Sequence, residues 1–379
     1  MRISFIVTIR EHAHTLGDCL QSVLAASRPG DEVILIDEHS SDSAREVIAL
    51  APRKLPHGHP LYGKIAVLGP KKRKGAGRPD ALNWRAIRLG ARSSGGRAVA
   101  ANTGLSIATA EAVIVLDGTN KLDPAGIDAA RAEMIETGAD VILGRFAGAF
   151  CDDEHHLWIG PDSQPDACQR MESQPARMLL QRNFLLARGL RFDEGPFILE
   201  EHLFHWRVCL RARSIRLLDR VLTYAPAFAE EGRQNAEALS VVFAHHRRIS
   251  EMLAPDVPHA ALRDWLARMV GRHLAALSPM DYWSYAAAAD PAALDGEWPE
   301  GRGGRALAAL STRPLWQAVA LWQSEAIWAE VAERFASDSA DQEPRERPQR
   351  QAERRAIALW RGMRSGSSAC FKSSDNSCA

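Results

Sequence analysis

Two short, almost uninterrupted apolar runs, separated by a helical pattern, limit the N-terminal half of this chain to a small set of folds. Ile3, Phe5, Ile6, Val7 and Ile9 make the first run, and Val33-Ile34-Leu35-Ile36 the second. Strands that read as continuous hydrophobic stretches are covered on both faces, which is the condition of a parallel sheet. Between them Leu16, Cys19, Leu20, Val23 and Leu24 recur at helical spacing, so the segment predicts a βαβ unit. A third run, Ala112-Val113-Ile114-Val115-Leu116, predicts a further strand. It is led by a short helix that starts after Asn102-Thr103-Gly104.

In open α/β sheets ligands sit beyond the carboxyl ends of the strands. Thr8 and Arg10 lie at the carboxyl end of the first strand, Asp37 and Glu38 follow the second and Asp117 the third, so these residues should face one crevice. A carboxylate there can accept the imide N–H of a uracil ring, and Asp117 is suited to a ribose or to a divalent cation, since hard cations favour oxygen ligands. Asp37 and Asp42, with Ser40 and Ser41, equally suit a capped turn. A second acidic pair, Glu200-Glu201, precedes the helical pattern of Leu203, Phe204, Trp206, Val208 and Leu210. A carboxylate in that position can serve as a general base, with a like-charged neighbour raising its proton affinity. It can also serve simply as an anion at a helix N-terminus.

Taken in order, these segments resemble the inverting family-2 glycosyltransferases with the GT-A fold. Asp37-Glu38-His39-Ser40-Ser41-Asp42 is similar to that family's Asp-Asp-Gly-Ser-Ser-Asp, and Ala101-Asn102-Thr103-Gly104 to its Ala-Arg-Asn-x-Gly. The step from Asn102 to Asp117 matches its spacing to Asp-x-Asp. Leu190-Arg191-Phe192-Asp193-Glu194-Gly195 with Glu200-Glu201 is similar to its Leu-x-Phe-Asp-Glu and Glu-Asp pair. The resemblance implies a nucleotide-sugar site in which Thr8 and Arg10 line the base pocket and Asp37 and Glu38 contact the uracil. Asn102 and Thr119 belong to the same donor site, and Asp117 meets ribose or metal. It also implies that Glu201 removes the acceptor proton as that oxygen attacks the anomeric carbon.

Three residues depart from the family pattern. Thr119 stands where Asp-x-Asp has its second acid, so a manganese or magnesium ion on Asp117 should be held weakly. Ala101 replaces an Arg, and the base is Glu in place of Asp. Basic side chains at Lys71-Lys72-Arg73-Lys74, Arg78 and Arg97 are available to neutralise a diphosphate, although such a stretch also suits a solvated loop. The alternative to a transferase is a degenerate GT-A domain acting as a binding or scaffold subunit. Nucleotidyl transfer is disfavoured because no Gly-rich phosphate loop follows the first strand.

At 379 residues the chain should hold about two domains. The expected division is a GT-A domain at 1–235, a mainly helical region at 236–336, and at 337–379 a linker, a basic amphipathic helix and a tail. In the helical region Leu262, Trp265, Leu266, Met269, Val270, His273, Leu274 and Leu277 form one apolar stripe, and a second runs from Leu315 to Phe335. The helix containing Arg350, Arg354, Arg355, Trp360, Arg361 and Arg364 suits a peripheral contact with an anionic membrane, and equally an ordinary exposed terminal helix.

Lys plus Arg equal Asp plus Glu at 47 each, for zero formal charge, which argues against a nucleic-acid binder. No secretory signal and no membrane-length apolar run are evident, so a cytoplasmic site is expected. The six cysteines have no zinc-type spacing and are expected to be reduced. Cys151-Asp152-Asp153-Glu154-His155-His156 holds metal-ligand residue types without a recognised spacing. His202 and His205 are expected on a helix surface. No Gln-x-x-Arg-Trp motif of processive synthases is present, which favours single additions to a glycan or lipid-linked acceptor.

Overall fold

A computed structural model of the chain describes residues 1–68, 78–91, 97–147, 173–194, 199–224, 236–253 and 260–276. These divide into two compact units, one of Met1–Gly232 with Arg248–Leu262 and one of Arg233–Arg247 with the chain from Arg263 onward.

The first unit is built on a twisted sheet. Strand β1 (Ile3–Ile9) pairs in parallel with β2 (Glu32–Asp37) on one side and with β5 (Ala112–Asp117) on the other. The β2 side continues in parallel through β4 (Leu82–Arg88) to β3 (Ile65–Leu68) at the edge. Beyond β5 come β8 (Met178–Gln181), antiparallel to it, then β7 (Val141–Ala147), β9 (Ile215–Tyr224) and the two-residue β6 (Lys121–Leu122). The chain builds away from β1 in one direction through β2 and β4, then returns to place β5 on the other side. The crevice at β1 and β5 is therefore the topological switch point, where α/β sheets bind ligands.

Every residue of β1 and β2 is buried, as their apolar runs predict. Alternate side chains feed two separate cores. Phe5, Val7 and Ile9 pack with Leu16, Leu20 and Val23 of helix α1 (Ala13–Ala26). Ile6, Ile34 and Ile36 pack on the opposite face with Ala98 and Ala101 of α3 (Arg97–Ile107), and with Phe204 and Val208 of α6 (Glu201–Arg211). Each fully buried Leu, Ile or Phe contributes about 1.5–3 kcal/mol, so the two layers together fix the sheet between its helices.

The helix expected to start after Gly104 already runs from Arg97, five residues before Asn102, and Asn102 and Gly104 lie inside it. A Cβ on Gly104 would come 2.3 Å from Cγ2 of Ile6, so the missing side chain lets α3 lie directly on β1. The remaining helices of this unit are α2 (Ala44–Leu50), α4 (Pro124–Thr137) and α5 (Arg182–Arg188). Helix α4 shows its punctuation plainly. Asp123 caps it by accepting from Gly126 N at 2.7 Å, Pro124 opens it, and Gly138 closes it in the left-handed conformation.

Buried charges in this layer are paired. Asp31 accepts from both Arg131 terminal nitrogens at 2.9 and 2.8 Å, and from the backbone N–H of Ile3 and Arg28 at 2.8 Å each. Glu32 accepts from Ser4 and from the Thr109 and Ala110 backbone, which ties the start of β2 to the approach of β5.

The helices that follow are α7 (Ala236–Met252) and α8 (Ala260–Ala276). Leu262, Trp265, Leu266, Met269 and Val270 of the apolar stripe are buried, with Arg263 and Arg268 part-exposed beside them. The stripe at 315–335, the basic helix at 350–364, the 71–74 cluster and the 151–156 segment lie outside the described residues. No helix among the described residues is long and apolar enough to cross a membrane. Cys19 is a free thiol, but Cys209, expected to be reduced, is disulfide-bonded. An apolar helical setting looks the same for a thiol and for a half-cystine, so sequence patterning does not separate them.

Candidate active site at the switch point

The strand registers bring the predicted residues to one edge. Thr8 is the partner of Asp117 across β1 and β5, and Ile9 the partner of Asp37 across β1 and β2. A cleft opens at this edge, lined among others by Thr8, Arg97, Asp117, Asn120, Glu200 and Glu201. Arg97 comes from the first turn of α3, Asp117 from the end of β5, and the two glutamates from the start of α6.

Arg97 holds the acids together. Its Nη1 donates to Asp117 Oδ2 at 2.9 Å, its Nε lies 3.4 Å from Glu200 Oε1, and its Nη2 lies 3.8 Å from Glu201 Oε2. Burial acts to lower the pKa of this guanidinium, but the three carboxylates outweigh it and raise it. Burial pushes the Asp117 carboxyl up, yet Arg97, His12 and hydrogen bonds from Arg97 and Thr119 hold it below the ordinary carboxylate value. Glu200 is raised by burial and then by the charge of Glu201, with Arg97 pulling the other way.

Glu200 occupies the N-cap position of α6 but makes no side-chain capping hydrogen bond. Its carboxylate turns to Arg97. The simple capping role is therefore not the one it performs, although the helix terminus still favours negative charge there.

The other oxygen of Asp117, Oδ1, accepts from Thr119 N at 3.1 Å and Thr119 Oγ1 at 2.8 Å, and lies 3.6 Å from His12 Nδ1. Asn120 Oδ1 in turn accepts from Asp117 N at 2.9 Å. His12 was not singled out by sequence reasoning. Its signal is Gly118, where a Cβ would come 2.9 Å from the His12 ring nitrogen.

Glu38 is fully buried, and among the described residues neither of its carboxylate oxygens has a hydrogen-bond partner. Burial pushes its pKa up to about 7, with Arg10 and Arg97 pulling down and Glu200 and Asp117 pushing further up. Buried acids without a hydrogen bond and with a shifted pKa are uncommon and concentrate at functional sites. Asp37 is also buried. Its Oδ1 accepts from Ser40 N at 2.9 Å, which is the capped turn, while Oδ2 has no hydrogen bond and lies 3.7 Å from Arg88 Nε. Arg10 is exposed. Arg10, Asp37 and Glu38 do not line the cleft of Asp117 and Glu201, although Glu38 feels its charges.

Asn102 does not reach this edge. Its amide donates to Phe192 O at 2.9 Å and Glu194 Oε1 at 2.7 Å, and its Oδ1 accepts from Phe192 N at 2.9 Å. Asp193 pairs with Arg207 and Arg248, and the Phe192 ring stacks on Phe204 at 3.9 Å. The Leu-Arg-Phe-Asp-Glu stretch is thereby clamped between α3 and α6, close in sequence to Glu200. Arg78 pairs with exposed Asp80. His202 and His205, expected on a helix surface, are buried in α6.

Among the described residues, three non-glycine residues have left-handed backbone: Glu11 (φ 57°), His39 (φ 60°) and Leu199 (φ 63°). Each is the neighbour of a predicted site residue, Arg10, Glu38 and Glu200 respectively. Such conformations cost about 1–3 kcal/mol and concentrate at functional sites.

Solved structures share this architecture. TarS 1–349 from S. aureus, in complex with UDP-GlcNAc, is 16% identical with a TM-score of 0.59, over 86% of this chain and 91% of that one. The same protein in complex with UDP is 18% identical with a TM-score of 0.57. The mannosyltransferase PcManGT from Pyrobaculum calidifontis, in complex with GDP-Man and Mn2+, is 16% identical with a TM-score of 0.51, over 90% of this chain and 88% of that one. The fold is that of the GT-A glycosyltransferases. No family model matches the sequence, and no curated protein matches it.

Proposed function

We propose that this protein transfers a sugar from a nucleotide-sugar, with UDP as the favoured carrier, to an acceptor hydroxyl with inversion at the anomeric carbon. The observation that carries this reading is the convergence of Asp117, Arg97, Glu200 and Glu201 on one cleft at the sheet's switch point. The complexes of fold neighbours with UDP-GlcNAc and GDP-Man support it. In this reading Asp37 and Glu38 recognise the base and Thr8, Arg10, Asp117 and Thr119 surround the donor. Asn102 serves by holding the 192–194 segment in place.

Glu201 acts as general base. It takes the proton of the acceptor hydroxyl while that oxygen forms its bond to the anomeric carbon. The bond from that carbon to the phosphate oxygen breaks in the same displacement, and its electron pair leaves with the nucleoside diphosphate. A positioned base of this kind contributes roughly 100- to 10,000-fold in rate. The acceptor is a glycan or lipid-linked hydroxyl, modified by single additions on the cytoplasmic side, with the basic C-terminal segment favouring a peripheral membrane position.

Glu201→Gln is predicted to lower kcat by roughly 100- to 10,000-fold while donor binding survives. Parallel loss of both would remove Glu201 from the role of base. A degenerate scaffold, for which Thr119 and Ala101 are the evidence, would bind nucleotide without releasing UDP from a UDP-sugar.

A further inference from the structure

We propose that Arg97 is the resident cation of this site, standing at Asp117 where a divalent metal would otherwise stand, so that the donor diphosphate is met by a guanidinium and binds without metal. The proposal rests on the nucleotide-sugar reading above and concerns how that donor is neutralised.

The donor set around Asp117 does not fit a divalent ion. Oδ2 is engaged by Arg97 at 2.9 Å, and Oδ1 by two donors from Thr119. Thr119 provides a hydroxyl that donates to Asp117, where a second carboxylate would be needed to draw a metal. The oxygen of Asn120 is bound to the Asp117 N–H. Among the described residues no group of three His, Cys, Asp or Glu is placed to hold a metal. A divalent ion at a diphosphate site is held by one or two free carboxylates together with substrate phosphates and waters, and the three carboxylates of this neighbourhood, Asp117, Glu200 and Glu201, are each already in contact with Arg97.

Arg97 has what a divalent ion would supply. It carries a fixed charge at the mouth of the cleft, held against three carboxylates. The Asp117 contact is the short one, a hydrogen bond at 2.9 Å, and the contacts to Glu200 and Glu201 are longer, at 3.4 and 3.8 Å. Its side chain is 46% exposed and lines the cleft. A planar guanidinium matches phosphate oxygens in pairs. An incoming diphosphate can replace the two longer ion pairs while the Asp117 bond keeps the guanidinium in position. That exchange would also release Glu201 to meet the acceptor proton, coupling donor binding to readiness of the base.

The test is calorimetric titration of the full chain with UDP, in chelator and again in manganese, for wild type, Arg97→Lys and Arg97→Ala, with near-UV circular dichroism as the check on folding. The expected result is the same wild-type Kd in chelator and in manganese. Arg97→Ala should weaken binding roughly 10- to 100-fold, the range of a charged hydrogen bond. Arg97→Lys should fall between, because a point charge replaces the fork. Wild-type binding that disappears in chelator would overturn the role of Arg97 and leave the donor site standing, as would binding that survives Arg97→Ala unchanged. Absence of binding under both conditions would overturn the donor reading, and this inference with it.

Discussion

Glu38 is enclosed with both carboxylate oxygens lacking a hydrogen bond among the described residues, and burial lifts its pKa to about 7. The sign of its effect on stability follows from linkage. The folded state holds the proton more tightly than the unfolded state, so this stabilising contribution is complete below the ordinary carboxylate value and is lost as pH rises through about 7. Glu38→Gln should flatten the decline in urea-unfolding free energy over that interval and leave the variant more stable than wild type above it. Glu200 is raised in the same direction, so a residual slope is expected. An unchanged slope would mean that Glu38 is already charged in the folded protein.

The acids of the site were legible because each ends an apolar run or opens a helical pattern, as Asp37, Asp117 and Glu201 do. The partnership of Arg97 was not, because it joins the start of α3 to the ends of β5 and α6, and no local pattern records that convergence. Asn102 was legible as special, but its hydrogen bonds run to Phe192 and Glu194, a long-range pairing that sequence alone does not distinguish from a ligand contact.

Among the elements, β1, β2, β5 and α1 carry the plainest sequence signal, and all are buried where the pattern places them. Strands β3 and β4 carry little. β3 lies at the sheet edge with Val67 71% exposed, and β4 mixes Asn83, Arg85 and Arg88 into its run. Edge strands are paired on one side only, so their sequences need not be continuously apolar. The early start of α3 was obscured because its first turns are small residues with weak periodicity.

Small size is what α3 requires. Gly104→Ala would drive a methyl to within 2.3 Å of Ile6 Cγ2, and overpacking of this kind costs about 1–3 kcal/mol. Urea unfolding should register that loss, and Ile6→Ala in the same chain should make the second substitution less harmful than it is alone. Simple additivity of the two would show that α3 and β1 do not meet at this point.

At the level of the whole molecule, the reversal of strand order at β1 and β5 places Thr8 opposite Asp117, and the helices of the second layer bring Arg97, Glu200 and Glu201 to the same edge. The switch point follows from three apolar runs that a reader of the sequence can find. The mixed half, β7 to β9, in which β8 is antiparallel to its neighbours and β7 pairs in parallel with β9, depends on pairings distant along the chain and is not visible in local patterning. The central claim is that this edge binds a nucleoside diphosphate. Equilibrium titration with UDP, GDP and dTDP, on wild type and Asp117→Ala, tests it without knowledge of sugar or acceptor. Saturable binding that favours UDP and is lost in Asp117→Ala is the predicted result. No binding of any of the three, or binding indifferent to Asp117, would contradict it.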